Sequence, residues 1–394
     1  MPSVFQRDLV KKLVSRMRET RRYIQVVSGP RQTGKTTSIL QALDQLADIP
    51  YHFIQAGSDT LSTRDWLRRE WQNARSLAKD GVAILAVDEI QLVNKWSEVV
   101  KDLWDEDTRN ELQLHVILSG SSSLLLQKGL REGLTGRFEE LFCYQWSLPE
   151  CKQAFGFSLD DYLYFGGYPG AAPLISDEAR WLDYMKNSII APSVMKDVIA
   201  MDKVTKPALM DALFTLGSSY SAQEISFRKL LGQLDDAGNA TTIAHYLSLL
   251  GDAGLLAGLQ KYNPKPLKQR ASSPRLIAFD TSLMVANYGQ FRKSLLVEPD
   301  RRGHLVECAV GASLLKRGIA EHFDVYWWRD GSDEVDFVLS SGEALTAIEV
   351  KSGRVKSLRG LDAFCSKYPV TKSIVIGASG VSLESFLNEE VALF

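Results

Sequence analysis

VVSGPRQTGKTTSILQALDQL, residues 26–46, decides how the first third of the chain is read. A β-branched run leads into GPRQTGKTT at 29–37, and a helical pattern follows at once. The segment fits GxxxxGK[ST] in the strand–loop–helix setting that the motif requires. Its loop residues are Gly29, Pro30, Arg31, Gln32, Thr33, Gly34, Lys35, Thr36 and Thr37. Glycines let the backbone N–H groups wrap the phosphates of ATP, and the helix N-terminus favours their negative charge. Lys35 is expected to reach the β- and γ-phosphates, and the Thr36 hydroxyl to bind Mg²⁺. A chance Gly/Thr-rich turn is the bland alternative, and the flanking strand and helix argue against it.

Working outward, VAILAVDE at 82–89 is an apolar strand ending in two acids. After a phosphate loop at this distance, Asp88 is expected in the magnesium shell and Glu89 as the group that orients or deprotonates the attacking water. Candidate strands at 23–28, 51–55, 82–87, 113–118 and 138–144 alternate with helical stretches, as in a covered parallel sheet. A candidate strand between the phosphate-loop strand and the acid-tipped strand indicates an additional-strand ATPase, the group that includes AAA+ and RecA-like motors. The strand 113–118 ends in Ser119, the favoured sensor of the γ-phosphate, although a helix cap would also use serine there. In LTGRFEE at 134–140, Arg137 is a candidate finger for a neighbouring subunit's γ-phosphate, with a surface salt bridge as the alternative.

The chain has 394 residues, 45% hydrophobic and 24% charged, with net charge -2. That length implies two or three domains. The charge excludes a global basic field, so any nucleic-acid surface must be local. Cys143, Cys151, Cys308 and Cys365 form no CxxC pair, which speaks against a disulfide framework or structural zinc. The start lacks a signal-peptide core, and apolar runs are strand-length. A soluble cytoplasmic protein without a membrane segment is expected.

Beyond about 147 the strand signals stop. FGGYPGAAP at 165–173 reads as a turn and a lid or linker feature. Three helices and a short apolar stretch over 205–262 suggest a winged helix. In its third helix, 239–250, Asn239 is the expected N-cap, and Ile243, Tyr246, Leu247 and Leu250 share a face. That helix holds no Lys or Arg, so shape or backbone recognition of DNA, or plain packing, is expected of it.

From 304 the pattern is a helix (304–317), strands at 323–328, 334–339 and 345–351, a helix (357–367) and a strand near 372–376. Alternation puts Glu334 and Asp336 on one strand face, and Glu349 and Lys351 on one face of the next. With Glu307 on the helix upstream, this is the ordered layout of a PD-(D/E)XK nuclease. Asp336 and Glu349 would bind Mg²⁺ or Mn²⁺, Lys351 would position water and neutralise charge, and Glu307 would complete the shell. The alternative is a nuclease-like fold kept as a structural or DNA-binding module. Basic tracts run over 7–22, 261–275 and 351–359. The last two suit phosphate tracking, whereas the first reads as a solvated face. Trp327 and Trp328 fit a core role better than base stacking.

Taken together, GPRQTGKTT, AVDEIQ (86–91), LSGSSSLLL (118–126), LTGRFEEL, FGGYP, TTIAHYLSLL (241–250), WRDGSDEVDFVL (328–339) and AIEVKSG (347–353) resemble a bacterial and archaeal family of AAA-type ATPases with a C-terminal domain of unknown function. The resemblance implies an α/β P-loop NTPase of AAA+-like type, a winged helix and a restriction-endonuclease-like α/β domain, and a helical lid or linker is expected between the first two. The expected segments are 1–146, 147–204, 205–300 and 301–394. It also maps the finger to Arg137 and the tail set to Glu307, Asp336, Glu349 and Lys351. The expected function is an oligomeric ATP-driven motor or remodeller, a hexameric ring among its forms, on branched or single-stranded DNA. The rival is an ATP-gated switch that binds a protein partner and cleaves nothing.

Overall fold

The computed structural model describes residues 5–57, 63–79, 81–120, 123–194, 204–234, 239–265, 273–288, 292–353, 357–377 and 380–394. The chain divides into two compact units, 1–144 and 145–394.

The first unit is built on strands β1 (Ile24–Ser28), β2 (Tyr51–Gln55), β3 (Ala83–Asp88), β4 (Leu114–Ser119) and β5 (Phe138–Phe142). All pairings are parallel, and the order is β2-β3-β4-β1-β5. The strands β1, β3 and β4 are buried throughout, while β2 and β5 are half-exposed edges. Successive side chains feed two separate cores. Val26, Leu85, Val87, Val116 and Leu118 pack among residues of helices Arg64–Leu77, Trp96–Arg109 and Ser123–Gly133. Val27, Ile84, Ala86 and Ile117 join the core formed with helices Asp8–Arg18 and Lys35–Gln45. Each fully buried Val, Leu or Ile contributes about 1.5–3 kcal/mol. Two-sided burial is why these strands read as continuous apolar runs.

One expectation shifts. The strand at 51–55 is the outer edge, and it is β4 that lies between the phosphate-loop strand β1 and the acid-tipped strand β3. The inserted strand is thus the one carrying Ser119.

The second unit starts with helices Leu148–Phe155 and Leu159–Phe165, a 3-10 segment Pro169–Leu174, and helix Glu178–Tyr184. Helices Pro207–Ser219, Phe227–Gln233 and Ala240–Asp252 precede an antiparallel pair, β6 (Leu256–Leu259) and β7 (Arg275–Ala278). Asn239 caps the third of these helices by accepting the Thr242 N–H at 2.9 Å. Its buried face includes Ile243, Tyr246, Leu247 and Leu250 as the spacing predicts, and Leu249 as well.

After the long helix Pro299–Glu321 come β8 (Asp324–Asp330), β9 (Asp333–Ser341), β10 (Ala344–Lys351) and β11 (Lys372–Gly377), ordered β11-β10-β9-β8. Only the β10/β11 pair is parallel. Gly311 lets the long helix lie close on β7 and β9, since a Cβ there would sit 3.0 Å from both Ile277 and Phe337. Trp327 and Trp328 are 1% and 2% exposed, so they are core residues and offer no base-stacking surface.

FGGYP is a buried knot within this unit and not an exposed linker. Gly166 turns at φ 67, the Gly167 N–H donates to Asp280 at 2.9 Å, and Tyr168 is buried. A Cβ on Gly166 would lie 1.8 Å from the Asp280 carboxylate. Among the described residues no helix is long and apolar enough to cross a membrane.

Candidate functional site

The phosphate loop leaves β1 and is shaped by glycine. A Cβ on Gly29, whose φ is 145, would lie 2.2 Å from the Cys143 carbonyl oxygen just past β5. Gly34 takes φ 95 and opens the helix Lys35–Gln45. Within the loop, Thr33 Oγ1 donates to the Cys143 carbonyl at 2.7 Å, and it lies 3.0 Å from the Pro30 carbonyl. The buried Lys35 ammonium donates to the carbonyls of Gly29 (2.9 Å) and Pro30 (2.6 Å). Pro30 is buried, Arg31, Gly34 and Thr36 are half-buried, and Gln32 and Thr37 are exposed.

Parallel strands bring their C-terminal ends to one pole, which is why residues distant in sequence meet here. Thr36 Oγ1 donates to Asp88 Oδ2 at 2.7 Å. The Ser119 hydroxyl donates to the other carboxylate oxygen, as does the Glu89 N–H at 3.1 Å. Asp88 itself is 1% exposed. A hydroxyl and a carboxylate this close are the hard-oxygen set that a magnesium ion takes through one or two protein ligands, so these residues fit the metal. Glu89 stands one residue past β3 at φ 55, and the Gln91 amide donates to its carboxylate at 2.5 Å. Gln91 also abuts Gly120, where a Cβ would lie 2.5 Å from its Oε1. Motif reading assigned no role to Gln91, although it closes the DEIQ string.

Arg7 departs from the expectation for its tract, and Arg137 makes the salt bridge named as its alternative. Arg7, placed on a solvated face, donates to the Thr33 carbonyl (3.1 Å), Cys143 Sγ (3.1 Å) and the Tyr144 carbonyl (3.0 Å). Arg137 immediately precedes β5, at the pole opposite the phosphate loop. It pairs with Asp105 through two bonds, 2.7 and 2.9 Å. That guanidinium holds the Asp105 carboxyl below its ordinary value.

In the second unit, the expected acids do gather, but around an arginine. Arg275, 4% exposed, donates to Glu307 (2.9 Å), Glu334 (3.0 Å) and Asp336 (3.2 Å), and through Nε to the Ala222 carbonyl (3.1 Å). The other Asp336 oxygen accepts the Val350 N–H at 2.8 Å. Lys351 donates to Glu349, as their shared face predicts. Burial first, then the Asp336 carboxylate, push Glu307 up to about 8 against the pull of Arg275. The same two causes push Glu349 up to about 7, against Lys351.

The cluster does not fit a divalent metal as it stands. Glu307, Glu334 and Asp336 each have an oxygen on one guanidinium, and a buried Glu349 oxygen lacks a hydrogen-bond partner. Among the described residues no three His, Cys, Asp or Glu are placed to hold a metal.

The basic tracts change accordingly. Arg275 and Lys351 are engaged internally, and Arg359 pairs with Asp333. Lys268, Arg270, Arg354 and Lys356 lie outside the described residues.

Known proteins match in three stretches. Residues 21–152 match an AAA domain, 156–294 a domain of unknown function (DUF8612), and 302–389 another (DUF4143). An uncharacterized protein of Methanocaldococcus jannaschii is 24% identical over 372 residues, covering 88% of this chain and 77% of its own length. One of Haemophilus influenzae is 22% identical over 355 residues, covering 83% and 82%. Among solved structures, the RuvB Holliday junction branch migration motor of Thermotoga maritima is similar at 19% identity and TM-score 0.34, over 65% of this chain and 90% of that one. The Aeropyrum pernix Orc1 protein in complex with DNA is similar at 13% identity and TM-score 0.30, over 75% and 96%. The AAA match falls on the phosphate loop and the five-stranded sheet. This stretch is therefore a P-loop ATPase domain of AAA type, a family that hydrolyses ATP with Mg²⁺.

Proposed function

We propose that this AAA-domain ATPase is a homo-oligomeric, cytoplasmic motor or remodeller that spends ATP on branched or single-stranded DNA. The observation that carries the ATPase chemistry is the contiguous line of Thr36, Asp88 and Ser119 beside the Lys35 loop. In this reading the loop N–H groups and Lys35 hold the triphosphate, and Thr36 and Asp88 would hold a magnesium ion, which would supply positive charge against the phosphate oxygens. Glu89 orients the attacking water and takes its proton, Ser119 reads the γ-phosphate, and Arg137 reaches a neighbouring subunit's nucleotide. Glu89→Gln is expected to lower turnover by about 10²–10⁴-fold, the range for a general base. ATP affinity is expected to persist, checked by equilibrium binding of a fluorescent ATP analogue. Undiminished turnover would remove Glu89 from the chemistry.

We take the second unit as three segments: a helical lid (147–204), a winged helix (205–300) and a nuclease-like domain (301–394). Three helices followed by β6 and β7 support the second, and the long helix with the sheet β11-β10-β9-β8 supports the third. Lys261 and Lys265, in an acid-free stretch after β6, support backbone contact with DNA. The deciding experiment is ATP hydrolysis titrated with single-stranded, duplex and forked DNA, with Lys35→Ala as the blank. A rate that rises several-fold with one DNA form supports the motor and names its substrate. Indifference to all three supports the second reading, a protein-binding switch with a silent nuclease-like fold. The seating of Arg275 among the tail acids favours that reading.

A further inference from the structure

We infer that the Arg275 guanidinium takes the cation position of the C-terminal acid cluster, so that Glu307, Glu334 and Asp336 seat the β6–β7 pair in place of a divalent metal. This concerns the second unit and does not depend on the ATPase reading.

The acids come from two elements, Glu307 from the long helix and Glu334 and Asp336 from β9. Arg275 comes from a third, β7, and its Nε bonds the Ala222 carbonyl near the end of helix Pro207–Ser219. One planar fork thus ties four pieces of chain together. Arg is suited to this because its donors diverge in a plane that matches carboxylate edges.

A second rung repeats the joint. Arg329 on β8 donates to both Glu224 and Glu334, and Glu224 bridges to Arg275 through the backbone. Glu334 is therefore shared by two guanidinium groups.

A magnesium-like ion needs several oxygens in near-octahedral array at about 2.0–2.1 Å. With Arg275 seated, the oxygens of Glu307, Glu334 and Asp336 that converge on the cluster's centre face N–H donors. The other Asp336 oxygen is held by the Val350 N–H. A cation entering there would also meet the repulsion of a fixed positive charge. Two carboxylates of the nuclease motif in sequence, Glu307 and Asp336, thus join Glu334 as the socket of a joint.

The test is Mn²⁺ binding to the full chain at pH 8 without nucleotide, counted by the loss of the free-ion electron paramagnetic resonance signal. Wild type and Asp336→Asn are expected to bind Mn²⁺ equally, with no site distinguishing them. Arg275→Gln is expected to gain one Mn²⁺ per chain at least tenfold tighter than any wild-type binding. Adding Asp336→Asn to Arg275→Gln should abolish that site. The inference is overturned if wild type holds one Mn²⁺ per chain that Asp336→Asn releases. It is equally overturned if folded Arg275→Gln gains none. Should Arg275→Gln fail to fold by circular dichroism, the wild-type and Asp336→Asn comparison decides alone.

Discussion

Replacing Arg137 by alanine is expected to leave nucleotide binding intact while lowering ATP turnover by about 10³-fold or more, the range for a finger supplied in trans. Position supports the trans route. The phosphate loop leaves the C-terminal end of β1, whereas Arg137 enters the N-terminal end of β5, so it faces away from the site of its own chain. Its bidentate pair with Asp105 holds it in the meantime, and a half-exposed surface pair of that kind is worth about 1 kcal/mol or less. Exchanging it for a γ-phosphate therefore costs little. Mixing sharpens the measurement. Arg137→Ala and Glu89→Gln chains are each expected to be crippled alone, but a mixed oligomer would place an intact Arg137 against an intact Glu89. Partial recovery on mixing is the trans signature. A variant that binds ATP weakly yet turns over normally would assign Arg137 to structure.

Arg275→Met is expected to destabilise the second unit by about 3–5 kcal/mol, the usual cost of stripping one partner from a buried ionic cluster. Three carboxylates would be left facing one another with the compensating charge gone. The pH dependence follows from Glu307. Its folded value of about 8 lies above the ordinary carboxylate value, so its contribution to stability is full below that ordinary value and is lost as pH rises through 8. Without Arg275, which pulls that value down, Glu307 rises further, and the deficit of the variant widens above pH 8. Urea titrations of wild type and variant at pH 6 and pH 9, followed by tryptophan fluorescence, measure both effects. A deficit under about 1 kcal/mol at both pH values would mean that water, and not Arg275, solvates the acids.

What could be read in advance was local. The phosphate loop, the acid-tipped strand and the five strands of the first unit are contiguous patterns, and each survives as β1 to β5. Strict alternation placed Glu334 with Asp336 and Glu349 with Lys351, and both pairs share a cluster or a bond. The order of the strands was not legible in the same way. Which strand stands between β1 and β3 depends on pairing across the sheet, and both 51–55 and 114–119 have the composition for it. Arg275 escaped for a related reason. It sits in a basic run after Pro274, the composition of a phosphate tract, while its three partners lie 32 to 61 residues further on. Nothing within reach of a local window marks it as buried. Arg7 likewise finds its partners at Thr33, Cys143 and Tyr144, distances along the chain that no helical period encodes.

The grip of Arg7 has a mechanical corollary. One guanidinium clasps both the phosphate loop, through Thr33, and Tyr144, the last residue of the first unit. Thr33 adds a direct strut to Cys143, and Gly29 touches the same carbonyl with no room for a methyl between them. A rearrangement of the loop during turnover must therefore either snap these links or tug on the point where the chain departs for its remaining 250 residues. The phosphate loop and the chain's way out of the first unit are yoked, so that neither can shift without loading the other.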